Sequence, residues 1–128
     1  MARLLFYWDE WNLYPHHHDT KLNKEKTIKI TKKLCRHFKL PQVRLSFSTR
    51  KRGGSYSIWR QRVSLRATTN LGILCHEIGH HYTQIKYHEC KHNKKLRRAM
   101  KVICNYASRW LAKEAEVWGD EYIGNDIY

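Results

Sequence analysis

The stretch that decides the fold is Thr68-Thr69-Asn70-Leu71-Gly72-Ile73-Leu74-Cys75-His76-Glu77-Ile78-Gly79-His80-His81-Tyr82. It opens on side chains that cap a helix, so a helix is expected to start at Leu71. Leu71, Leu74, Cys75, Ile78, Tyr82 and Ile85 recur at three- and four-residue steps and give that helix an apolar stripe. His76 and His80 lie one turn apart, to one side of the stripe, with Glu77 beside them. His-Glu-x-x-His in this setting can grip one Zn²⁺ through two imidazoles, with the carboxylate as general base on a metal-bound water. The chain holds nine histidines, so the pattern can arise from composition and needs support from its surroundings. Gly79 is costly inside a helix, by about 1 kcal/mol against Ala, and its presence suggests close approach of another backbone.

Upstream, Val43-Arg44-Leu45-Ser46-Phe47-Ser48-Thr49 alternates apolar and polar and reads as a half-buried strand. Arg50-Lys51-Arg52-Gly53-Gly54 reads as a turn whose glycines are free to take positive φ. Ser55 to Arg66 returns in extended form, with a bend at Trp59-Arg60-Gln61-Arg62. Further back, Asn23 to Leu40 reads as a helix with Ile28, Thr31, Leu34, Cys35 and Phe38 on one face and lysines on the other, stopped by Pro41. Residues 4–14 are too apolar for a free tail and are expected to dock as a strand or short helix. Pro15-His16-His17-His18-Asp19 reads as a solvated loop. Downstream, Tyr87 to Lys91 reads as a loop, and Asn93 can cap a last helix through Leu96, Met100, Ile103 and Cys104 toward Trp110, Leu111 and Val117, closed by Gly119 and Gly124.

At 128 residues the chain is expected to be one domain. No apolar run reaches the length of a membrane span, and the segment Leu4–Trp8 is too short for a signal-peptide core, so a cytoplasmic protein is expected. Cys35, Cys75, Cys90 and Cys104 show no CxxC spacing and read as free thiols, with Cys90, between His88 and His92, as a further ligand candidate. The formal charge of +14 points to a polyanionic partner, nucleic acid first. Arg50, Lys51, Arg52, Arg60 and Arg62, interleaved with Tyr56 and Trp59, are the candidate nucleic-acid residues: cations for phosphate, rings for stacking. An edge hairpin guarded by charge would carry the same residues.

A catalytic zinc needs three protein ligands and one open position. Three residues are candidates for the third. His92 stands just before the last helix; Glu116 is followed by Asp120 one helical turn on; His88 lies in the loop after the motif helix.

From about Leu34 to Ile103 the order of parts resembles the SprT-like zinc metalloproteases, including their small phage-borne members. The parts are a helix ending in Cys35-Arg36-His37-Phe38-Lys39-Leu40-Pro41, a strand hairpin, the strand Val63-Ser64-Leu65, the motif, and Lys91-His92-Asn93-Lys94-Lys95-Leu96. In that family the last segment has Gly where this chain has Asn93 and an aromatic where it has Leu96. The resemblance implies a small zincin-like α+β domain. A short three-stranded antiparallel or mixed sheet would pack on an N-terminal helix and the motif helix, with a C-terminal helix after them. It implies His76, His80 and His92 as zinc ligands, Glu77 as general base, and a substrate bound as an added strand at the sheet edge. Similarity to gluzincins would instead put Glu116 in the third position. The implied activity is hydrolysis of peptide bonds in a protein or peptide substrate, directed at proteins on DNA, by a monomeric enzyme with no membrane partner. The rival reading is a basic DNA-binding protein with a structural or catalytically decayed zinc site.

Overall fold

The computed structural model describes residues 20–48 and 54–118, with side chains as far as Glu114. Two asparagines start the helices that flank the sheet. Asn23 caps α1 (Lys24–His37), its side-chain oxygen accepting from the Lys26 amide at 2.8 Å. Asn70 caps α2 (Leu71–Tyr87) in the same way, accepting from the Ile73 amide at 2.8 Å. A two-residue strand leads into each helix, β1 (Lys21–Leu22) ending just before its cap and β5 (Thr69–Asn70) including its cap, and these pair antiparallel. The small clamp ties the starts of α1 and α2 together, and the Leu71 amide donates to Thr20 O at 2.9 Å. No hydrophobic pattern in the sequence marks these two short strands.

The central sheet holds β2 (Arg44–Ser48), β3 (Gly54–Ser57) and β4 (Arg62–Arg66) in the order β2-β4-β3. β4 runs parallel to β2 and antiparallel to β3, so the sheet is mixed. A mixed sheet was one of the two expected forms, and the expected bend at Trp59–Arg62 is the tight reversal, at Ile58–Gln61 between β3 and β4, with Gln61 in the left-handed region at φ 45°; the strands on either side of Arg50–Gly54 do not pair with each other. Gly54 is the first residue of β3 rather than the end of a turn, and it does not need positive φ. A Cβ there would lie 2.9 Å from Leu65 Cδ2 and 3.2 Å from Ile73 Cγ2 and Ser64 O, so a larger residue would have to displace the end of Leu65. Residues 49–53, which hold Arg50, Lys51 and Arg52, lie outside the described residues.

Alternation along β4 sends Val63 and Leu65 into the core, while Ser64 on the other face bonds the Ser46 hydroxyl at 2.9 Å. α1 ends at His37, three residues earlier than Pro41 alone would require. Lys39 takes the left-handed conformation at φ 56°, and the Leu40 amide donates back to Cys35 O at 2.8 Å. α2 is the central element. Nearly every side chain from Leu71 to Thr83 is buried, so its apolar stripe understates how much of it is enclosed. On one side it meets the sheet, and on the other α3 (Lys94–Trp118). Gly79 is the point of closest packing, where a Cβ would lie 2.8 Å from Met100 Cγ and 3.0 Å from Leu96 Cδ1. The close approach inferred from sequence is therefore made by side chains of α3 first and by its backbone, Met100 N at 3.8 Å, second.

α3 is described to Trp118; Gly119 and Gly124, the expected stops, lie outside the described residues, as do residues 4–14 and the His16–His18 run. Cys35, Cys75 and Cys104 are buried thiols within the core, and Cys90 is half-buried. Among the described residues no helix is long and apolar enough to cross a membrane.

Candidate metal centre

The site begins at the end of α2. His88 leaves the helix in the left-handed conformation, at φ 58°, with its amide still bonded to Gln84 O at 3.0 Å. The chain then turns back within five residues, because Asn93 caps α3 by accepting from the Leu96 amide at 3.2 Å. Glu89 fastens the reversal. Its carboxylate accepts from Lys95 Nζ at 2.6 Å and from Asn93 Nδ2 at 3.4 Å. These bonds, the Lys95 one first, hold its carboxyl below the usual carboxylate range. His92 is thus set between a fastened loop and a capped helix.

Three imidazoles converge there. His76 Nε2 lies 3.1 Å from His80 Nε2 and 3.3 Å from His92 Nε2. Two nitrogens bound tetrahedrally at about 2.0–2.1 Å from a metal would stand about 3.3–3.4 Å apart. The three side chains could hold a metal ion, their ligand atoms all lying within 4.8 Å of one another. His76 and His80 are buried, while His92 is exposed and forms the outer wall. Among the described residues no other group of His, Cys, Asp and Glu gathers in this way. His88 is exposed at the helix end and takes no part; the side chain of Glu116 lies outside the described residues.

The three histidines open into a cleft of about 240 Å³, whose walls include buried Glu77 and, from β3 and its turn, Gly54, Ser55, Tyr56 and Ile58. Cys90 completes the lining, its Sγ 3.6 Å from His80 O. Burial, and then the charge of Glu77, push its thiol up from the ordinary value, so it faces the cleft as a neutral group.

His81, next to the motif, does not enter the cleft. It is fully buried, with Nε2 2.8 Å from Pro41 O and Nδ1 2.8 Å from the Tyr56 hydroxyl. A carbonyl only accepts, so Nε2 carries the proton and Nδ1 accepts from the Tyr56 O–H. Burial lowers the pKa of His81, outweighing the Pro41 bond, and it pushes the Tyr56 phenol up to about 12. Both groups are neutral and fix β3 against α2 beside His76 and His80. Tyr56, read from sequence as a stacking ring for nucleic acid, is thereby a wall of the cleft. The period-two pattern of β3 could have placed it facing the motif helix; its bond to His81 had no local signal.

Of the candidate nucleic-acid residues, Arg60 is exposed and Arg62 half-buried, and Trp59 between β3 and β4 is 95% exposed. Arg62 pairs in register with Arg44 of β2, so two cations lie side by side at this end of the sheet.

No protein-family model matches the chain, and neither a curated protein nor a solved structure is significantly similar to it. The likeness to SprT-like proteases rests on the order of parts and the motif residues alone.

Proposed function

We propose that the protein is a zinc-dependent peptidase. The observation that carries the reading is the convergence of three imidazoles, with His76 Nε2 3.1 Å from His80 Nε2 and 3.3 Å from His92 Nε2, in a cleft that also holds a buried glutamate. An all-imidazole donor set suits zinc among the common metals, and three protein ligands leave the fourth position open. When bound, zinc would supply Lewis acidity, acidifying a water and polarising a carbonyl. Glu77 would take the proton of the attacking water on its carboxylate and deliver it to the departing amine nitrogen. β3 is an edge strand of its sheet, and its residues line the cleft, so an extended peptide can add to it with its carbonyl facing the histidines. Cleavage of proteins held on DNA is the use to which the basic charge would be put.

The rival, a module with a structural or decayed site, has no use for a carboxylate buried beside its ligands. Glu77→Gln separates the two. For a peptidase, cleavage of an unfolded protein such as casein falls by at least a hundredfold, while zinc content by atomic absorption stays at one per chain. Equal cleavage by wild type and variant, or none by the zinc-loaded wild type, would sink the reading.

A further inference from the structure

A second cavity lies between α1 and α3 and shares no lining residue with the metal cleft. It is a groove of about 480 Å³ lined by Lys33 and His37 of α1 and by Tyr106, Arg109, Trp110 and Lys113 of α3. The α3 residues follow at steps of three, one and three, so they form one stripe facing α1. The sequence signal was hidden because Trp110 reads as an apolar position of a long amphipathic helix.

The groove has two kinds of surface. Its rims are cationic: Lys33 on one side, Arg109 and Lys113 on the other, with no acid among the described lining residues. Glu114, the nearby acid, is taken up by Lys29 at 3.9 Å. Its floor is aromatic. His37 stacks on Tyr106 with ring centres 3.7 Å apart and planes 17° apart, and Trp110 is held by the ammonium groups of Lys26 and Lys29 at 5.9 and 5.8 Å from its ring. Tyr106 and Trp110 each keep part of their surface in water.

We infer that this groove binds single-stranded nucleic acid, with bases against Trp110 and Tyr106 and the backbone along Lys33, Arg109 and Lys113. Charge complementarity selects the polyanion, on a chain of formal charge +14. The fixed rings select a strand with free base faces: a duplex keeps its bases stacked on one another and offers only phosphates, and an acidic protein offers carboxylates without rings. The groove is separate from the hairpin Arg60 and Arg62 singled out by sequence, and it does not depend on the metal.

The test is fluorescence anisotropy of a labelled oligothymidylate of about twenty nucleotides, with the full chain, from about 50 to about 200 mM salt. The combined variant Lys33→Gln, Arg109→Gln, Lys113→Gln changes two exposed residues and the half-buried Lys33. It should weaken binding more than tenfold at the lowest salt and flatten the slope of log K against log salt by about 2, at about 0.7 per lost phosphate contact. Trp110→Leu should lose about fivefold to a hundredfold, and Trp110→Phe should restore most of it. Glu77→Gln should bind as the wild type does, which separates this inference from the peptidase reading. The inference is overturned if the triple variant keeps the wild-type slope, or if Arg60→Gln with Arg62→Gln removes the binding that the triple variant retains. It also falls if duplex DNA or polyglutamate competes as well as the single strand. Circular dichroism and urea melts establish that each variant is folded.

Discussion

Replacing Gly79 by Ala sets two effects of known sign against each other. In an open helix the change would stabilise by about 1 kcal/mol, because glycine wastes backbone entropy. Here the new methyl would lie 2.8 Å from Met100 Cγ, about 0.6 Å inside the 3.4 Å at which ordinary contact begins, and 3.0 Å from Leu96 Cδ1. Overpacking of this kind costs about 1–3 kcal/mol. The expected result is a net loss of about 1 kcal/mol, seen as a fall in Tm of about 4 °C for a domain of this size. The perturbation also has a direction. Leu96 is one turn into α3 from the Asn93 cap, and His92 precedes that cap, so a shift of α3 by a few tenths of an ångström moves His92 relative to His76 and His80. Zn²⁺ affinity by calorimetric titration should fall about tenfold, the range seen when groups that position a ligand are disturbed. In a Met100→Ala background the nearest clash is gone and Gly79→Ala should stabilise, so the double-mutant cycle should show a coupling of about 1–2 kcal/mol. Stabilisation by Gly79→Ala in the wild-type background would refute the claim that α3 sets this glycine.

Other perturbations test the remaining parts of the site. Tyr56→Phe leaves His81 Nδ1 buried without its donor and should cost about 1–3 kcal/mol in urea unfolding, with cleavage reduced as β3 loosens from α2. Because the pKa of folded His81 lies below its unfolded value, the unfolded chain binds the extra proton. Stability is full above about pH 6.5 and is lost as pH falls below it. In His81→Gln that slope of Tm against pH should diminish; an unchanged slope would assign it to other groups. Glu89→Gln weakens the fastening of the loop by Lys95 and Asn93 and should lower Zn²⁺ affinity severalfold with little change in Tm. His92→Ala should abolish tight zinc binding, whereas His88→Ala should leave it intact; the reverse pattern would reassign the third ligand.

The two caps, Asn23 and Asn70, and the periodicity behind them made α1 and α2 readable to within a few residues, because capping and apolar spacing are local properties. The motif pair was readable for the same reason, since its members are one turn apart on one helix. His92 could be named as a candidate but not chosen from the residues alone. Its position depends on a left-handed His88, the Glu89 fastening and the Asn93 cap acting together. A mixed three-stranded sheet was among the expectations, but its strand order could not be read, because alternation reports which residues are strands and which face they bury, and is silent on partners. A glycine pair after β2 looked like a hairpin turn, but Gly54 is small for Leu65 and Ile73, and the actual reversal uses Gln61. Burial by a distant neighbour leaves no period in the sequence.

The mixed order has a consequence for the metal centre. Had β2 and β3 paired as a simple hairpin, β3 would have been shielded on that side. With β4 in the middle, β3 lies at the edge, and its Gly54, Ser55 and Tyr56 line the same cleft as His76, Glu77, His80 and His92. The Tyr56–His81–Pro41 bonds then fix that edge to the helix carrying the ligands and to the segment leading into β2. Edge strand and candidate ligands are therefore joined through His81. A peptide added to β3 would meet the histidines at a register set by the fold and not by a mobile lid. This predicts that cleavage depends on the backbone register of the peptide: N-methylation of a single amide that bonds β3 should abolish it, while methylation of the next amide, pointing away, should be tolerated. Equal tolerance at both positions would show that the substrate does not bind as a strand.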